Sequence, residues 1–209
     1  MFEVSTPHTG LLRLGLATTY SVAFWTRATE DLAVGEMARA AEEQHWFGEI
    51  SSSRVRYVVR HLQKRFPYPA RELLGFQPRP DSSSDALICH WHLQLHDPLY
   101  RDYTSLYLLR CWSGPTTSVT IDETEKWVRS RPSARDWEAN TQRRMASGLM
   151  SAATEAGLIG KTGREERELK LPAVQKFDRD YLRELIQLAG IEDADPYLAS
   201  VGQSGEEAR

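Results

Sequence analysis

The chain has 209 residues, of which 41% are hydrophobic and 26% charged, with a formal net charge of −3. That length can bury a core without disulfides or metals, and those fractions exclude a disordered chain, which would be poorer in Leu, Val, Trp and Tyr. They also exclude a protein that is basic all over, so a role in binding polyanions would need an uneven charge distribution.

Residues 1–9 hold no basic segment followed by an apolar run, as a secretory leader would. The most apolar early stretch, 11–25, is interrupted by Arg13, Thr18, Thr19 and Ser21, short of the roughly 20 apolar residues that a membrane span needs. The expectation is a cytoplasmic protein with no membrane partner. Residues 18–28 read as a short helix with Val22, Phe24 and Trp25 on its apolar face. Residues 30–45 read as a second helix, because Leu32, Ala33, Met37, Ala40 and Ala41 recur at helical spacing. Gly48 and Glu49 break it. Ser51, Ser52 and Ser53 then offer caps for a helix in which Val55, Val58, Val59, Leu62 and Phe66 make one stripe. Pro67 and Pro69 end it, since proline lacks a donor and restrains the residue before it.

Residues 70–76 are expected to form one or two helical turns, and 77–85, with Pro78, Pro80 and three serines, a loop that also caps the next helix. Helices over 86–95 and 98–112 meet at Asp97-Pro98, with the proline in a first turn; rich in Leu, Trp and Tyr, they belong at the centre of the core. After Gly114 and Pro115, 122–131 is a short charged helix stopped by Pro132. A long helix over 137–156 carries Met145, Leu149, Met150 and Ala153 on one side and closes on Gly157 as a left-handed cap. Leu158 and Ile159, the turn residues 161–164 and the stretch 169–171 suggest a small β-hairpin. Residues 177–189 are a last amphipathic helix, and the acidic end reads as a loose tail. The fold class is mainly α: a multi-helix bundle with a helix-turn-helix-like N-terminal part and a small C-terminal hairpin. It divides into an N-terminal helical lobe (1–76), a C-terminal helical lobe with the hairpin (77–200) and a tail (201–209).

Two segments have the chemistry for a phosphate strand. From Ser51 to Arg71 there is no Asp or Glu, while Arg54, Arg56, Arg60, Lys64, Arg65 and Arg71 are all basic. A helix, a break and a serine-capped basic helix resemble a helix-turn-helix, in which the first half of the second helix meets the DNA groove. Ser52 and Ser53 add hydroxyls and the helix N-terminus adds amides, both suited to phosphate. Arg54 and Arg56 stand at the helix start, and Arg60 and Lys64 continue the row from Arg56 at four-residue steps. The bland alternative is a solvated basic face on a core helix. The second segment pairs Arg143 and Arg144 on the long helix with Lys161 and Arg164 at the turn, as a winged helix does, although Glu165, Glu166 and Glu168 lower the local charge.

His92 and His96 are four apart and would share a helical face, as in two-histidine metal sites. No HExxH pattern and no third ligand accompany them, so structural histidines are the better reading. Cys89 and Cys111 read as small buried hydrophobes, with a disulfide between them left open. Nucleotide-binding glycine motifs and a GxSxG elbow are absent. Nothing assembles a convincing catalytic, metal or cofactor site, and a metal-dependent hydrolase built on His92 and His96 is the weakest of the alternatives.

The segments SSSRVRYVVRHLQKRF, HDPLYRDYTSLYLL and TQRRMASGLMSAATEAGLIG resemble the BrxA family of bacterial BREX phage-exclusion systems, over roughly residues 18–189. The resemblance implies an all-α fold with helix-turn-helix and winged elements, similar in part to NusB-type antitermination factors, and duplex DNA binding without catalysis. It places Arg54, Arg56 and Arg60 in the family's basic helix and Arg143 and Arg144 in its later helix. The resulting expectation is a non-enzymatic accessory protein of a phage-defence system, with double-stranded DNA and other BREX subunits as partners. No cofactor, metal or small-molecule substrate is expected. Two rivals stand beside it: an adaptor that docks other subunits through exposed Trp46, Phe47, Trp127 and Trp137, and an RNA-binding, NusB-like factor.

Overall fold

In the computed structural model, which describes residues 3–6, 8–28, 33–67, 81–160 and 166–203, the apolar stripes read from the sequence become helices. They are α1 (Leu11–Leu14), α2 (Thr18–Trp25), α3 (Val34–Glu43) and α4 (Ser52–Arg65). Next come α5 (Ser82–His96), α6 (Pro98–Asp102) and α7 (Leu109–Trp112). Strand β1 (Ser118–Thr120) leads into α8 (Ile121–Arg129) and the long α9 (Ala139–Glu155). Strand β2 (Glu166–Glu168), α10 (Lys176–Ala189) and α11 (Asp195–Ala199) complete the order. The fold is mainly α with one small antiparallel sheet. The turns expected over 70–76, and Arg71, lie outside the described residues.

Several boundaries have a local cause. The Ser51 hydroxyl accepts the Arg54 amide and caps α4, a contact that contributes about 1 kcal/mol. Asp81 accepts the amides of Ser83 and Ser84, so α5 starts at Ser82. The serines expected in a loop therefore form its first turn, because an aspartate N-cap outweighs their weak helix preference. At the Asp97-Pro98 junction the Asp97 carboxylate accepts the Tyr100 amide at 3.0 Å, and the proline fills the first turn of α6. From α6 the chain passes into a π-helical stretch, Tyr103–Leu108, before α7. There the Thr104 and Ser105 hydroxyls donate back to the Arg101 carbonyl, side-chain bonds of the kind that loosen a helical turn.

On the two sides of 161–165, which lie outside the described residues, the chain pairs as the expected hairpin requires. Ile159 and Leu169 are bridged antiparallel, flanked by bonds from the Gly160 amide to the Glu168 carbonyl and from the Lys170 amide to the Leu158 carbonyl. The strand that no pattern in the sequence announces is β1, which pairs antiparallel with β2, Val119 opposite Arg167, in a two-stranded sheet. Three residues are too few to show an alternating pattern. In chain order α7, β1, α8, α9, the isolated Ile159 bridge and β2 follow one another.

One hydrophobic cluster joins these elements, with Phe24, Leu62, Phe66, Trp91, Tyr100, Leu149 and Tyr181 all buried in it. Arg65 is buried as well. Its guanidinium donates to the carbonyls of Leu16 and Leu14 at 2.8 and 2.9 Å, tying the end of α1 to the last turn of α4. Both cysteines are free, Cys89 buried and Cys111 half-buried. Among the described residues no helix is long and apolar enough to cross a membrane.

Candidate nucleic-acid interface

On α4, residues Val55, Val58, Val59, Leu62 and Arg65 face the core. At 3.6 residues per turn, Arg56, Arg60 and Lys64 fall on the opposite side and Arg54 on a flank. All four are exposed, and none is in an ion pair with a described carboxylate. Steps of four residues separate Arg56, Arg60 and Lys64 by about 6 Å each along the axis. The Arg54 guanidinium lies 5.0 Å from the centre of the Tyr57 ring, which holds it along the helix. This is a linear array of cations on a rigid element, geometry that suits a phosphate chain.

The serines are less free. Ser52 donates to the Glu42 carboxylate of α3, and Ser53 shares a 3.1 Å bond with Ser51. Glu42, which lies outside the acid-free run, thus puts one carboxylate at the N-terminal edge of the basic helix. Two other groups that the charge run did not single out stand at the far end. His61 is half-buried with its ring 4.5 Å from that of Tyr57, and Arg13 of α1 is exposed. Burial, then the charges of Arg13, Lys64, Arg65 and Arg60, hold the His61 pKa below its ordinary value. The α3–α4 connection runs through His45 and Gly48, both at positive φ, and is longer than the three or four residues of a typical helix-turn-helix.

In the second segment Arg143 and Arg144 part company. Arg143 bridges from α9 to α8, with its guanidinium 3.1 Å from Asp122 and 2.8 Å from Glu125. Arg144 is exposed with no such partner. It borders an open depression of about 370 Å³ between α1 and α9, with Leu11, Ser147, Gly148 and Ser151. Lys161, Arg164 and Glu165 lie outside the described residues. The Arg167 guanidinium is turned to the Met150 carbonyl at 2.8 Å.

The histidines are structural. His92 is fully buried; its Nδ1 lies 3.0 Å from the Arg65 carbonyl and its Nε2 2.7 Å from the Tyr181 hydroxyl. A carbonyl only accepts, so Nδ1 donates and Nε2 accepts the Tyr181 proton. His90 sits between Tyr100 and Ser200. Burial pushes both down to about 3, so they are neutral at pH 7. With both nitrogens engaged, His92 is not paired with His96 as a ligand. Among the described residues no three His, Cys, Asp or Glu side chains group as metal ligands.

The anchors of the adaptor reading are corrected. Trp46 and Phe47 are only 7% and 8% exposed. The Phe47 ring meets the Tyr20 ring edge-on at 5.4 Å, and Trp46 donates its indole N–H to Gln44. Trp127 and Trp137 are half-buried against the core. The turn after α3 folds its aromatics inward because burial of such rings outweighs any preference for display.

The BrxA family model matches residues 27–185, well over half of the chain, and the chain belongs to the BrxA family. No curated protein matches it. Membership suggests a component of a BREX phage-defence system, and the family is not generally known as one of enzymes.

Proposed function

We propose that this BrxA family member is a non-enzymatic component of the defence system that binds duplex DNA along the outer face of α4. The observation that carries the reading is the row Arg56, Arg60 and Lys64 with flanking Arg54, all exposed and free of described carboxylates. Cations so arranged release counter-ions from a phosphate strand, so affinity depends steeply on salt and weakly on base sequence. The buried side of α4 belongs to the core, which fixes the row without any closing motion. Other subunits of the system are its protein partners in this reading.

The succession of β1, α8, α9, the isolated Ile159 bridge and β2 favours a winged-helix reading of the C-terminal part. There α9 would be the recognition helix, with Arg144, Ser147 and Ser151 exposed along it. Arg143, held by Asp122 and Glu125, would serve the α8–α9 junction rather than the strand.

The test is fluorescence anisotropy with a labelled short duplex over a salt series. Substituting Arg54, Arg56 and Arg60 together by Ala is expected to lower the slope of log affinity against log salt by about 2.7, at 0.9 per phosphate contact. If the wild-type chain shows no affinity for duplex DNA at low salt, the reading is wrong. Competition with duplex RNA distinguishes an RNA-binding role, and recovery of defence subunits from nuclease-treated extract by a chain that ignores DNA would favour the adaptor.

A further inference from the structure

We propose that α1 extends this face: Arg13, together with His61, Arg60 and Lys64, forms a subsite for a phosphodiester group of the strand lying along α4. The proposal rests on the nucleic-acid reading of α4 and adds residues from a separate element to it.

Geometry supports it first. Arg65 reaches from the buried side of α4 to the carbonyls of Leu14 and Leu16, which clamps the end of α1 against the last turn of α4. Arg13, next to Leu14, is thereby held beside the C-terminal half of α4. It is exposed and in no ion pair with a described residue. His61 lies between Arg60 and Lys64 in sequence and is positioned by the Tyr57 ring one turn earlier.

The charged and titratable groups close enough to act on His61 or be acted on by it are Arg13 from α1, Arg60, Lys64 and Arg65 from α4, and His96 from α5. Tyr57 is the remaining titratable neighbour. The carboxylates of Asp97 and Glu155 act on Arg65 at the buried side, but none is among the charges that act most on His61. Like charges gathered at the exposed edge repel one another, and nothing in the folding of α1 on α4 requires Arg13 and Lys64 to be cationic. A bound anion relieves that repulsion. A phosphodiester carries a single charge and accepts hydrogen bonds from guanidinium, ammonium and imidazolium donors alike.

This arrangement has a consequence that a plain basic face lacks. Burial and the surrounding cations favour neutral imidazole at His61. A phosphate strand laid against the cluster offsets the cations and favours imidazolium, so binding draws a proton onto His61. By linkage, affinity then rises as the pH falls through the range in which that proton is gained.

The experiment measures duplex affinity by anisotropy at fixed ionic strength between about pH 7.5 and 5.5, a window centred on histidine titration. The wild-type chain is expected to tighten by about threefold or more on acidification. His61→Gln keeps its affinity at the upper pH and loses most of that gain. Arg13→Ala weakens binding at both ends and lowers the salt slope by about one; Arg13→Lys retains the slope. Arg110→Ala, which removes an exposed charge from α7, leaves both readouts at wild-type values. Duplex binding that is flat in pH, or that responds to Arg13→Ala no more than to Arg110→Ala, overturns the subsite and leaves the α4 row standing. Absence of duplex binding overturns both.

Discussion

At the scale of single residues, the buried polar groups show where sequence reasoning stops. His92 and His96 have the spacing of a metal pair. What decides their role is Tyr181, far along the chain, whose hydroxyl takes the Nε2 position of His92 at 2.7 Å. Arg65 belongs to the basic run by composition yet is buried, because its guanidinium satisfies two carbonyls at the end of α1. Neither partner is visible in a local window. The histidines also make a prediction about stability. Burial lowers His90 and His92 to about 3 and His96 to about 4, with further lowering at His96 from Arg65 and His8. In the unfolded chain these groups titrate near their ordinary 6.5. Between those values the unfolded state binds more protons, so stability is fully present above about pH 6.5 and falls on acidification. The loss is at most about 1.4 kcal/mol per pH unit for each histidine. Asp97, pushed up by burial, works in the opposite sense wherever it keeps its proton only in the folded chain. The expected outcome is a lower urea midpoint at pH 5 than at pH 7, with a shallower pH dependence in His90→Gln. A midpoint that does not change over this interval would mean the histidines are not held neutral by burial.

At the scale of elements, the helices and the hairpin around Ile159 and Leu169 were legible and β1 was not. Helical stripes repeat over several turns, so α3, α4, α9 and α10 fall within a few residues of where spacing and caps put them. The stop after α9 was legible too: Gly157 sits at φ +79°, in the left-handed region, and closes the helix. β1 was missed because its pairing energy comes from β2, which no local pattern identifies. Two glycines turn this contrast into an experiment. Gly157→Ala puts a Cβ into the left-handed conformation and is expected to destabilise the chain by about 1 kcal/mol. Gly35 lies in the first turn of α3 with open space around an added Cβ. Gly35→Ala is expected to stabilise it by about 0.5 kcal/mol, since alanine loses less backbone freedom on entering a helix. Thermal melts of the two variants should move in opposite directions. A Gly157→Ala chain as stable as wild type would remove the conformational account of that helix end.

At the scale of the whole molecule, a chain of net charge −3 presents Arg54, Arg56, Arg60 and Lys64 along one exposed helix face, while many of its carboxylates lie on other elements. Some occupy the α8–α9 junction, where Asp122 and Glu125 hold Arg143. The acid-free stretch made Arg54, Arg56, Arg60 and Lys64 legible, since a run without acids cannot neutralise itself along its own helix. Glu42 and Arg13 could not be placed that way, as folding alone brings α3 and α1 to the ends of α4. Such a distribution has a specific electrostatic signature. Seen from beyond a Debye length, about 8 Å at physiological salt, the molecule is weakly repelled by a polyanion. In the proposed complex, four cations of α4 meet the strand. Contact with four phosphates gives a log–log salt slope near −3.6, so raising salt fourfold costs about two orders of magnitude in affinity. The net negative charge, by contrast, gives little long-range steering, and the association rate should vary far less with salt than the dissociation rate. Stopped-flow or biolayer measurements on two duplexes of unrelated sequence should therefore return similar affinities, with the salt effect mainly in dissociation. A strong sequence preference would move the principal contact from the phosphate-facing row of α4 to a base-reading helix, and α9, with Arg144, Ser147 and Ser151 along its exposed side, is the element that could supply it.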